Sequence, residues 1–104
     1  MNGKGKPVIK SFYNQGTEDI FNRLNSKDAR RTCPEQIWSI DRRKLDQLNA
    51  VVSLESLRIP PGNQLESLQG DRSGQYSVRI NNQLRICFKW TTEGPERVEI
   101  TDYH

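Results

Sequence analysis

Histidine is the scarcest chemical resource in this sequence: the only one is His104, after Asp102 and Tyr103. Chain ends fray, so a lone terminal His is by default solvated surface or the remnant of a tag. Cysteine is almost as scarce. Cys33 and Cys87 are too few for a disulfide framework, and neither has a CxxC or Cys/His neighbour, which argues against zinc. Reduced thiols in a cytoplasmic protein are the simpler reading. No run approaches the ~18 apolar residues of a membrane-spanning helix. Residues 1–7, MNGKGKP, lack the apolar core of a secretory signal, and their polar, Gly- and Lys-rich composition predicts a disordered extension. There is no internal repeat and no low-complexity tract. What is left is one domain over 8–104 with 33% hydrophobic residues, enough for one modest core.

Charge is present but unevenly spread. Residues 1–58 hold 11 Lys/Arg against 7 Asp/Glu, whereas residues 59–104 hold 5 against 6. A basic half suits nucleic acid or an acidic partner, and it equally suits solvated helices.

Val8–Phe12 reads as a short strand and Tyr13–Gly16 as a turn. Thr17 is placed to cap a helix running to about Lys27, with Ile20, Phe21 and Leu24 as its apolar stripe. Asp28–Thr32 reads as a polar, basic link. A second helix starts at Thr32 or Cys33, with Pro34 at its first position and Glu35 beside the positive end of the dipole. Ile37, Ile40, Asp41, Lys44, Leu45, Leu48 and Val52 trace one side of it, and Pro60–Asn63 is a firm break. Beyond that the period changes to two. Leu65 and Leu68 flank a short extended piece, Gly70–Gly74 is a turn, and strands follow at 75–80, 84–90 and 97–102. The expected class is therefore α+β, with two N-terminal helices packed on a small antiparallel sheet. Trp38 and Trp90 read as core.

Register carries the chemistry. Tyr76, Val78 and Ile80 must share a face with Leu84, Ile86, Phe88 and Trp90. A three-residue connection, 81–83, achieves this by pairing Ile80 with Leu84, and it calls for an Asn in the left-handed conformation. The same register sets Arg79 directly opposite Arg85 on the other face. Opposed like charges are destabilising. An acidic neighbour such as Glu99, splaying into water, or a bound phosphate would each relieve them. Val98 and Ile100 point inward, which leaves Asp102, Tyr103 and His104 at the sheet's edge. Cleaving RNA needs a base for the 2′-OH, cations for the phosphorane and an acid for the 5′-oxygen. Arg79, Arg85, Asp102, Tyr103 and His104 could supply these parts with no metal and no cofactor.

The segment LESLQGDRSGQYSVRINNQLR at 65–85, followed by ICFKW and the terminal VEITDYH, resembles the HigB branch of the RelE toxin superfamily. The VIKSF stretch fits too, so the likeness runs from about residue 8 to 104. The resemblance implies a microbial-RNase-type fold and a toxin that cuts mRNA in the ribosomal A site. It also implies a HigA-like helix-turn-helix antitoxin, with operator DNA reached only through the toxin–antitoxin complex. Carried onto matching positions, it implies Arg85, Asp102, Tyr103 and His104 as catalytic, with Arg72, Arg79, Gln69 and Glu66 against the RNA. Tyr103, whose unperturbed pKa is near 10, then stacks on a base or donates a hydrogen bond. Lys27, Arg30, Arg31, Arg42, Arg43 and Lys44 would suit ribosomal RNA backbone, or form an ordinary solvated face. The sequence also departs from the pattern. Some relatives place His and Lys where this chain has Glu66 and Gln69, so no pair of histidines can act as acid and base. Glu66 is then either a substitute base or a surface residue. The competing reading is a catalytically weak or degenerate toxin that serves mainly to bind its antitoxin.

Overall fold

The structure is a computed structural model that describes residues 8–102; the expected disordered extension at 1–7 and the candidate residues Tyr103 and His104 lie outside the described residues. Three α-helices, α1 (Gln15–Phe21), α2 (Lys27–Thr32) and α3 (Trp38–Ala50), precede a four-stranded antiparallel sheet. Its strands are β1 (Glu66–Ser67), β2 (Gln75–Arg79), β3 (Arg85–Thr91) and β4 (Gly94–Thr101), in spatial order β1-β2-β3-β4.

The expected first helix is shorter, α1 ending at Phe21, and a second helix, α2, forms where a link was expected. Asn14 takes the cap, its Oδ1 accepting from Thr17 N at 3.0 Å. Thr17 itself is buried, and its hydroxyl accepts from Ile100 N at 3.1 Å, tying α1 to β4. The helix stops at Phe21, and Arg23 reverses the chain with φ 64. Ser26 then caps α2, accepting from Ala29 N at 3.0 Å, so the whole segment read as a link, Asp28–Thr32, is helical. The two helices touch at Gly16. A Cβ there would lie 1.8 Å from Thr32 Oγ1 and 2.6 Å from the Asp28 carbonyl oxygen. Only glycine permits that approach.

After Pro34, one 3₁₀ turn (Glu35–Ile37) leads into α3. Its buried side is Trp38, Asp41, Leu45 and Leu48. Val52, expected on that side, is 60% exposed because the helix ends at Ala50. Two further 3₁₀ turns wrap Asn63, which is 1% exposed. Its Nδ2 donates to the Leu57 carbonyl at 3.0 Å, and its Oδ1 accepts from Lys44 Nζ at 2.6 Å.

The sheet has the expected register: Tyr76 opposes Phe88, Val78 opposes Ile86, and Ile80 N donates to the Leu84 carbonyl at 2.9 Å. No described Asn is left-handed, however; the non-glycine residues with positive φ are Arg23, Gln64 and Arg97. Asn81 closes the connection through its side chain instead, its Oδ1 accepting from Gln83 N at 2.8 Å and Leu84 N at 2.7 Å. An Asx turn of this kind satisfies the loop amides without a positive φ. The 8–12 stretch forms a single parallel bridge, Phe12 to Val98, rather than a full strand. It lies along β4, with Lys10 N donating to the Pro95 carbonyl at 2.7 Å and Val98 N to the Ser11 carbonyl at 3.1 Å.

All the helices pack on one face. Val78, Ile86, Phe88, Val98 and Ile100 from the sheet meet Ile20, Ala29, Trp38, Leu45 and Leu48. Each large side chain buried this fully contributes roughly 1.5–3 kcal/mol. Trp90 is half-buried at the rim of that cluster. The opposite face of the sheet carries the polar rows.

Candidate active site

Two cross-strand rows build the open face. One runs Arg79, Arg85, Thr101; the next runs Glu66, Ser77, Cys87, Glu99. The opposition of Arg79 and Arg85 is therefore real, and each guanidinium has a partner. Arg85 is anchored on three sides: Nε donates to Ser77 Oγ at 2.7 Å, Nη2 donates to the Gln64 carbonyl at 2.6 Å, and Glu66 Oε1 lies 3.7 Å from Nη2. Gln64 presents that carbonyl from a left-handed conformation, φ 45. Arg79 donates to Asn82 Oδ1. Of the ways to relieve the pair, an acidic neighbour is present, but it is Glu66 beside Arg85 and not Glu99. Glu99 instead pairs with Arg72 at 3.2 Å, and Arg72 also donates to Gln75 Oε1 at 3.1 Å.

Arg79, Arg85, Glu66, Gln64 and Gln83 line one cleft of about 320 Å³. Arg85 comes to it rigid: its side chain is 14% exposed and its hydrogen-bonding directions are fixed. Two guanidinium groups side by side on a partly desolvated wall attract a phosphate strongly and bind it with defined geometry. Burial of Lys44, together with Arg43 and Arg79 nearby, lowers the Lys44 pKa.

β4 ends at Thr101, opposite Arg85, so Asp102 leaves the sheet beside that residue. Gln83 Nε2 donates to Asp102 Oδ2 at 3.0 Å. Gln83, Asp102 and Arg31 also line a second cleft of about 460 Å³ on the α2 side. Gln69 is exposed at the entrance to the 3₁₀ turn Gly70–Arg72.

The basic residues of the helices divide into two groups. Arg30, Arg31 and Arg43 are exposed. Arg42 is tied inward, with Nε donating to the Ile20 carbonyl at 3.0 Å and its guanidinium 5.4 Å over the Trp38 ring. Lys44 is tied to Asn63. Cys87, the neighbour of Ser77 in its row, is fully buried, and burial pushes its thiol up to about 11, with Arg72 and Arg85 opposing. It stays protonated at neutral pH and is no nucleophile. Among the described residues, no group of three or more His, Cys, Asp or Glu side chains could hold a metal ion. Nor is any described helix long and apolar enough to cross a membrane.

Sequence reasoning missed Gln64 and Asn82. Neither could have been found: a non-glycine left-handed residue leaves no compositional mark, and Asn82 lies in a loop whose side-chain directions depend on the turn.

The sequence model of a HigB-like toxin family, described as the RelE-like toxin of type II toxin-antitoxin system HigB, matches residues 10–104. "Toxin HigB-1" of Vibrio cholerae serotype O1 is 43% identical over 60 residues, 58% of this chain and 63% of that protein. An uncharacterized protein of Haemophilus influenzae is 35% identical over 63 residues, 61% of this chain and 62% of its own length. The matches thus span a little under two thirds of either relative. Among solved structures, the YoeB-YefM complex from Staphylococcus aureus contains a chain that superimposes with TM-score 0.52 at 15% identity, covering 96% of this chain and 99% of that one. At that identity the likeness speaks to the fold alone.

Proposed function

We propose that this chain, which belongs to the HigB-like family of RelE-like toxins from type II toxin–antitoxin systems, is an endoribonuclease that cuts mRNA in the A site of the translating ribosome. The observation that carries this reading is the opposed pair of Arg79 and Arg85, with Arg85 locked by Ser77 and Gln64. In the proposed reaction the 2′-oxygen attacks the adjacent phosphorus and the 5′-oxygen leaves. Arg79 and Arg85 stabilise the negative charge of the phosphorane. His104 gives its proton to the leaving 5′-oxygen, Asp102 orients the end of the chain, and Tyr103 stacks on or hydrogen-bonds the RNA. The Glu66 carboxylate, in the same cleft as Arg85, takes the 2′-OH proton. No metal or cofactor enters the scheme. The ribosome presents the mRNA in a fixed pose and so supplies the effective concentration that a sparse set of catalytic groups lacks. Exposed Arg30, Arg31 and Arg43 contact ribosomal RNA backbone. A cytoplasmic helix-turn-helix antitoxin neutralises the protein, and operator DNA is reached only through their complex.

Primer extension on a translated reporter mRNA tests this after brief induction of wild type and of a variant lacking Asp102–His104. Cuts seen only with wild type, and lost when ribosomes are blocked from the start codon, are expected. No cuts from either folded protein would favour the alternative, a degenerate toxin in which Glu66 and Gln69 mark a lost activity and antitoxin binding remains.

A further inference from the structure

The open face carries another cleft, about 360 Å³, lined by Tyr13, Asp71, Arg72, Gln75, Arg97 and Glu99. It lies on the same face of the sheet as the arginine cleft: Glu99 stands two residues along β4 from Thr101, which opposes Arg85. Tyr13 is 55% exposed, and the Arg97 guanidinium lies 5.4 Å from the centre of its ring. Arg97 reaches that position through a bulge. The β3–β4 pairing steps from Lys89–Glu96 to Cys87–Glu99, giving β4 one residue more than β3, and Arg97 takes φ 54. Its amide is pinned by donating to Ser11 Oγ at 2.9 Å. A bulky residue held left-handed is strained, and bulges commonly re-aim a side chain beside a functional site.

The chemistry of this cleft differs from that of its neighbour. Two guanidinium groups are matched by two carboxylates, Asp71 and Glu99, and Arg72 is already paired with Glu99 and Gln75. A phosphate would meet as much repulsion as attraction here. A flat neutral heterocycle would find a ring to stack on, a guanidinium for its π face, and amide, carboxylate and guanidinium groups for its edge. We propose that Tyr13 and Arg97 form a nucleobase subsite that stacks an unpaired RNA base flanking the phosphate held by Arg79 and Arg85. This rests on RNA being the substrate, as proposed above.

The test is an NMR titration of the full chain with a single-stranded hexaribonucleotide and with the same oligomer lacking its bases. The Tyr13 ring and Arg97 Nε resonances should move with the first and stay still with the second. Tyr13→Ala should weaken binding about tenfold, and Tyr13→Phe should restore it. The spectra themselves report whether each variant is folded. Equal shifts with the baseless oligomer, unmoved Tyr13 resonances, or a Tyr13→Ala variant that binds like wild type would each overturn the subsite. The two proposals fail separately. Base-dependent shifts in a protein that leaves translated mRNA uncut uphold the subsite and sink the nuclease reading. Ribosome-dependent cuts with Tyr13 unmoved do the reverse.

Discussion

Replacing Asp41 by Asn should stabilise this protein and flatten its response to mild acid. Asp41 sits on the buried side of α3 with 0% exposure, and its carboxylate has no well-formed hydrogen bond, only the weak donor of the Cys33 thiol nearby. Burial pushes its pKa from 3.8 up to about 6, offset only in part by the Cys33 thiol and Arg42. The sign follows from which state holds the proton. Between pH 3.8 and about 6 the folded form keeps a proton that the unfolded chain has lost, so stability falls as pH rises through that window. Above pH 6 the full penalty is present. At 1.36 kcal/mol per pKa unit it amounts to about 3 kcal/mol, a large part of the ~5–15 kcal/mol available to a domain. Asn removes the charge and keeps the shape, but leaves a buried amide unsatisfied. The net gain at pH 7 should therefore be nearer 1–2 kcal/mol, or a rise in Tm of roughly 5–10 °C for a chain of this size. Thermal unfolding of both proteins at pH 4.5 and pH 7.5 reads this directly. Wild type should be more stable at pH 4.5 than at pH 7.5 as far as this group is concerned, and the advantage of the variant should grow as pH rises. A variant that is less stable than wild type at pH 7.5, with the pH dependence unchanged, would mean that Asp41 carries no buried-charge penalty.

Gly16→Ala should cost about 1–3 kcal/mol in urea unfolding, because the new methyl meets Thr32 and the Asp28 backbone. Adding Thr32→Ala should not restore it, since the Asp28 carbonyl stays in place. Cys33 and Cys87 are both buried, and burial raises both thiols. A thiol-reactive chromophore should label neither in the native protein and both after denaturation. Rapid native labelling would show that the core opens readily. Ser77→Ala removes the hydroxyl that holds Arg85 Nε. It should weaken growth arrest on induction roughly tenfold or more while leaving far-UV circular dichroism unchanged.

The sheet was legible because strict alternation from Tyr76 to Trp90 leaves one register that puts every apolar side chain on the core face. The Arg79–Arg85 opposition and the inward Val98 and Ile100 follow from it. The helical half was less legible because caps compete. Thr17 looked like a cap, but a nearer Asn14 took the role and Thr17 was drawn into the core by β4. Ser26 then restarted a helix in a stretch whose charge resembled a linker. In the site, the rows could be read from parity, but the partners could not. Whether Glu66 or Glu99 meets Arg85 depends on the 64–72 excursion, whose left-handed Gln64 no residue type announces. The bulge at Arg97 was hidden for the same reason: it is a positive φ without a glycine.

In the proposed reaction an anchored Arg85 stabilises the transition state of mRNA cleavage on the ribosome. The most direct measurement is the single-turnover cleavage rate on programmed ribosomes for wild type, Arg85→Lys and Arg85→Ala. Lysine keeps the charge but cannot reach Ser77, Gln64 and the phosphate together, so both variants should lose about 10²–10³-fold in rate. A lysine variant cutting at the wild-type rate, or wild type that cuts nothing, would contradict it.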